Sequence, residues 1–62
     1  MRYLVLCKHE DVILDWKELR KEPSDNAAVM SAFAFGTTVD GADVIEVYCS
    51  DPDVLLICHI VL

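Results

Sequence analysis

Val12 Ile13 Leu14 Asp15 Trp16 Lys17 Glu18 Leu19 Arg20 Lys21 Glu22 is the stretch whose reading decides the fold of this 62-residue chain, because it carries two periodicities at once. At period 2, Val12, Leu14 and Trp16 share a face while Asp15 and Lys17 point away, which makes a strand joined by a turn through residues 8–11 to whatever precedes it. At period 3.6, Val12, Ile13, Trp16 and Leu19 form a stripe, Asp11 is placed to cap and Pro23 to stop a helix. The β-branched start favours the strand, with a charged connector over residues 17–22 that also holds strong helix formers. The strand reading gives a ββαββ order and the helix reading βαββ.

Working outward, residues 3–7 (Tyr3, Leu4, Val5, Leu6, Cys7) are a continuous apolar run, read as an internal strand beside the C-terminal one. Residues 54–62 carry one polar side chain, His59, in nine positions. A run this aliphatic reads as a strand buried on both faces, since a strand with one wet face alternates. Val54, Leu56, Cys58, Ile60 and Leu62 fall on one face, and Leu55, Ile57, His59 and Val61 on the other. One helix covers only one of these faces, so the second needs another layer, from this chain or from another molecule.

The middle of the chain supplies the helix. After Pro23, Ser24 or Asp25 can cap. An alanine-rich segment follows to Phe35, and Gly36 stands where a left-handed C′ glycine ends a helix. Val29, Met30 and Phe33 are expected on the face that meets the sheet, with Met30, Phe33 and Phe35 in the core. A competing strand pattern, Ser31, Phe33, Phe35, Thr37 and Val39 before an Asp40-Gly41 turn, yields to the alanines. Residues 37–42 read as a loop bending at Gly41. Residues 43–49 read as a strand with Ile45, Val47 and Cys49 on one face and Val44, Glu46 and Tyr48 on the other. Residues 50–53 make an Asp- and Ser-containing turn that closes a second hairpin. Its outer face, with Leu55, Ile57 and His59 joining in, is an apolar patch edged by carboxylates. The sum is a single α+β domain over residues 1–62: a small antiparallel sheet of three or four strands with one helix packed on it.

Composition bears on what that domain does. A chain near 60 residues buries only about 60% of its unfolded surface, yet 55% of these residues are apolar, an excess that favours association. No secretory leader, prenylation box or membrane-length apolar run is present, which sets the expectation of a cytoplasmic protein. Three cysteines, Cys7, Cys49 and Cys58, all in apolar runs, are expected to be reduced and to behave as small hydrophobes.

Charge is divided unevenly. Residues 1–21 hold five bases and four acids, and residues 22–62 hold seven acids and no base, so the net of +1 and −7 gives −6. Such a surface repels nucleic acid and anionic membranes and attracts a basic protein. The same acids also serve solubility.

Motifs for chemistry are sparse. Cys7, His9, Cys49, Cys58 and His59 are zinc-ligand types, but Cys7-Lys8-His9 and Cys58-His59 lack the knuckle spacing of a zinc site. Asp40-Gly41-Ala42-Asp43 and Asp51-Pro52-Asp53 lack an EF-hand's spacing and its closing glutamate. No phosphate cradle or Walker lysine occurs, and a chain this short has little room to enclose a pocket. The expectation is no enzyme and no cofactor.

Two function classes follow. The first is a small acidic protein-interaction module, an inhibitor or adaptor docking on a basic surface of a larger protein, one that itself binds nucleic acid being a natural target. Asp40, Asp43, Glu46, Tyr48, Asp51, Asp53 and Trp16 are its candidate contact residues, and Glu46→Lys is expected to slow association without disturbing the fold. In size and charge the chain resembles the small inhibitors encoded by bacteriophages; that resemblance carries no motif and assigns no residue. The second class is a self-associating structural domain, a homodimer through its apolar sheet face or an edge strand. A Cys/His zinc miniprotein is a further alternative.

Overall fold

The computed structural model describes residues 2–51 and 53–62. It resolves the ambiguity of residues 12–22 in favour of the strand: β1 (Tyr3–His9), β2 (Val12–Leu19), α1 (Asp25–Gly36), β3 (Val44–Cys49) and β4 (Leu55–Val61) follow one another as ββαββ. The strand runs on through Leu19, so the charged connector is shorter than its helix formers suggested. Pairing along the whole of β1 outweighs that local preference. The β1–β2 hairpin turns on Glu10 and Asp11, both with positive φ (49° and 66°), the backbone twist that a two-residue hairpin turn requires.

The four strands form one antiparallel sheet in the order β2-β1-β3-β4. β1 is internal as expected, but its neighbours are β2 and β3. β4 is an edge strand and largely exposed, contrary to the reading of residues 54–62 as buried on both faces. Apolar content alone does not distinguish a doubly buried strand from an edge strand whose faces remain open. The last two strands pair as a hairpin; its turn includes Pro52, which lies outside the described residues.

On one face of the sheet lies α1, over β3, with β1 and β4 on either side. Ser24 caps it, its hydroxyl accepting from Ala27 N–H at 3.2 Å. The core is Tyr3, Val5 and Cys7 from β1, Ile45 and Val47 from β3, Leu19 from β2, and Ala28 and Ala32 from the helix. With Gly36, the two alanines make a stripe at i, i+4 and i+8 that sets the helix axis close to the strands. A Cβ on Gly36 would overlap the Ile45 side chain. This corrects two expectations. Gly36 is a helical residue needed for close approach, and the C-cap is Thr37 in right-handed conformation. Met30 and Phe33 point outward, because a helix this near the sheet leaves no room for them beneath it; Met30 is 74% exposed. Phe35 does pack against the core, with Lys17 Nζ 5.5 Å above its ring.

Gly41 bends the α1–β3 loop with φ of 86°. Ile45 and Val47 face the helix and Val44, Glu46 and Tyr48 face away, as the alternation in residues 43–49 required. No helix among the described residues is long and apolar enough to cross a membrane.

Candidate functional site

The face of the sheet opposite α1 is uncovered. The Cα atoms span 29 × 20 × 15 Å, the shortest dimension holding one sheet and one helix and no third layer. Directly opposed residues share a face, so the strand registers write this surface as three rows across β2, β1, β3 and β4. The first is Glu18, Leu4, Tyr48, Leu56; the second Trp16, Leu6, Glu46, His59; the third Ile13, Lys8, Val44, Val61. Two bulges set these rows. One lies opposite Cys7/Lys8 and skips Leu14. The other lies opposite Val47/Tyr48 and skips Ile57.

The second bulge corrects the expected patch. His59 joins Glu46 and Tyr48, with Val61 on the same face as its alternation with His59 required, but Leu56 stands where Leu55 and Ile57 were expected. Leu55 opposes Cys49 on the helix side, and Ile57 packs against the core. Strict alternation fails at a bulge, and a bulge has no signal in these residue types.

At the centre Glu46 Oε1 accepts from Lys8 Nζ at 3.3 Å and from the Tyr48 hydroxyl at 3.0 Å. The Lys8 and Glu46 side chains are only 20% and 15% exposed, so this is a nearly dry ion pair set in an apolar surface. Donation to Glu46, ahead of partial burial, pushes the Tyr48 phenol up from its ordinary range. Around the pair stand Trp16, 61% exposed, with Ile13, Leu56 and Val61, all of them exposed.

The candidate aspartates divide between the two ends of the sheet, about 20 Å apart along six residues of β3. Asp40 and Asp43 lie at the end where β1 leaves and β3 begins. The Asp43 N–H donates to Lys8 O at 3.0 Å, and its carboxylate lies 2.9 Å from His9 Nδ1. The β1–β2 turn adds Glu10 and Asp11 at the same end, and Leu14 Cδ1 comes within 3.7 Å of a Cβ position on Gly41. Asp51 and Asp53 lie at the opposite end, where Ser50 N–H donates to Arg2 O. The candidate residues therefore do not form one ring. Trp16, Glu46 and Tyr48 share the open face, with Asp40 and Asp43 at one border and Asp51 and Asp53 at the other.

Sequence reasoning missed Leu4, Leu6, Lys8, Ile13 and Leu56 on the face, and Glu10 and Asp11 at its border. The alternation within residues 3–7 held the signal for Leu4 and Leu6; the border acids become visible only when β1 is placed beside β3.

The zinc-type residues do not converge: no group of three or more His, Cys, Asp and Glu side chains suited to a metal gathers among the described residues. Cys7 lies beneath the helix, where burial, and then the Asp15 carboxylate, push its thiol up and away from the reactive thiolate form. No pocket opens among the described residues. No protein-family model matches the chain, and no similar curated protein or solved structure was found.

Proposed function

We propose that this protein is a small acidic interaction module, an inhibitor or adaptor, that docks the uncovered face of its sheet on a basic surface of a larger protein. The observation that carries this reading is the open face itself: three rows of mainly apolar side chains, with Trp16 exposed at one side and the central charges, Lys8 and Glu46, paired to each other. Water-exposed apolar area of this kind is stabilised by contact with a second apolar surface. The Lys8–Glu46 pair then needs no counter-charge from the partner.

The acids at both ends give the encounter its sign. A net charge of −6, concentrated beside the apolar face by Glu10, Asp11, Asp40 and Asp43, steers a partner whose apolar centre is rimmed by lysine or arginine. Proteins that hold nucleic acid have such rims, and the module would compete there as a mimic of charge.

Site-specific photocrosslinking tests the face. A photoreactive side chain at position 16 or 56 should capture the same basic protein in cells that make this one, while the same group at position 30, on the outer side of α1, should not. Capture from position 30 alone, or of an acidic partner, contradicts the reading. Adducts from position 16 confined to a second copy of the chain would replace it with self-association through the open face.

A further inference from the structure

We propose that β4 is an assembly edge, pairing antiparallel with β4 of a second copy to join two four-stranded sheets into one of eight. The two edges of this sheet are built differently. β2 sets Asp15, Lys17 and Glu18 along its length, the charged arrangement by which natural edges refuse strand addition. Residues 54–62 contain no Asp, Glu, Lys, Arg or Pro. Both edges have a bulge, but that of β4 lies at Ile57 and leaves residues 58–61 in regular register with β3.

Backbone direction completes the edge. Leu62 N–H donates to Asp43 O at 2.8 Å, and in an antiparallel ladder alternate residues turn their N–H and C=O groups to opposite sides. The groups of Val61 and His59 are thereby directed away from β3, into the open edge.

The occupant follows from charge and symmetry. A chain of net charge −6 repels its own copies over most of its surface, and the uncharged edge lets two copies approach without opposing carboxylates along the strand. Antiparallel pairing of one strand with itself is isologous, so each outward donor meets an outward acceptor and the contact closes at two copies. The charged β2 edges left outside do not extend it. Such a dimer sets two open faces side by side on one continuous sheet, which would present the partner with two linked contacts. This inference concerns backbone edge groups and not the open face, so either proposal can fail while the other stands.

Sedimentation velocity across the micromolar to millimolar range tests it, on the full chain and three variants. His59→Pro removes an outward N–H while leaving the ladder to β3 intact. Val61→Lys places a charge beside the edge without touching the backbone, its side chain lying on the open-face side of β4, and serves if proline disturbs the strand, with Trp16→Lys as the control for loss of the open face itself. Trp16→Lys alters the open face only. The full chain should dimerise, both edge variants should weaken the dimer by about tenfold or more with unchanged circular dichroism, and Trp16→Lys should remain dimeric while losing partner capture. A monomeric full chain, or a dimer that survives both edge substitutions, overturns the proposal.

Discussion

Lys8 on β1 and Glu46 on β3 meet diagonally on the uncovered side of the sheet, one row apart, with Nζ and Oε1 3.3 Å apart and both side chains largely shielded from water. Glu46 is therefore a structural acid before it is a recognition acid. Glu46→Gln removes the charge from a pair whose other member stays in place, along with part of the bond to Tyr48, and should lower stability by about 1–2 kcal/mol in urea denaturation. Glu46→Lys should cost more, because two ammonium groups then share the site. This revises the expectation that Glu46→Lys spares the fold.

Gly36 is required by the closeness of α1 to Ile45. Alanine there gains about 1 kcal/mol of helix propensity, but its methyl group must displace a fully buried β-branched side chain. Overpacking of this kind costs about 1–3 kcal/mol, so Gly36→Ala should be destabilising on balance. A stabilised variant in thermal denaturation would contradict the close approach.

Tyr3 is buried and donates to Asp25 Oδ1 at 2.7 Å. That bond, and next burial, push its phenol from its ordinary 10 up to about 12. With the folded pKa above the unfolded one, the folded state holds the proton longer. The stability it contributes is complete below pH 10 and is lost as pH rises toward 12. Ultraviolet titration should find tyrosine ionising late, together with alkaline unfolding, and Asp25→Asn should bring the Tyr3 step earlier. Ionisation of both tyrosines at the ordinary value with the fold intact would refute the Tyr3–Asp25 bond.

The hairpin turn at Glu10 and Asp11 holds two side-chain-bearing residues at positive φ. L-residues adopt that conformation at a cost of about 1–2 kcal/mol each, which glycine avoids and asparagine reduces. Replacing the pair with Asn-Gly should raise the urea midpoint, and it should also slow partner association by removing two border acids. A stability gain with no change in association rate would place the binding charge elsewhere.

Much of this architecture was legible in the residues. The alternation of Ile45 and Val47 against Val44, Glu46 and Tyr48 placed β3 correctly, and the β-branched start of residues 12–22 placed β2. Ser24 and Asp25 both offered a helix cap, and Ser24 is the one that fills it. What escaped has physical reasons. Gly36 has the same residue type whether it supplies left-handed backbone or close approach. Met30 and Phe33 read as core because they are large, but the stripe of Ala28, Ala32 and Gly36 admits only small side chains beneath the helix. The bulge at Ile57 depends on pairing, so the partition of β4 between its two faces could not be read from period 2. The site was half legible: Trp16, Glu46 and Tyr48 do share a face, while their neighbours on β1 emerge only from the strand order.

Association kinetics between this protein and the protein captured from position 16, measured against ionic strength for the native chain and Trp16→Ala, test the central claim most directly. Acid-steered docking requires an association rate that falls steeply with salt. It also predicts that Trp16→Ala leaves this rate intact but speeds dissociation by about thirtyfold, as expected for loss of an anchor worth about 2 kcal/mol. An association rate indifferent to salt, together with unchanged dissociation of Trp16→Ala, would contradict an acid-steered docking of the open face.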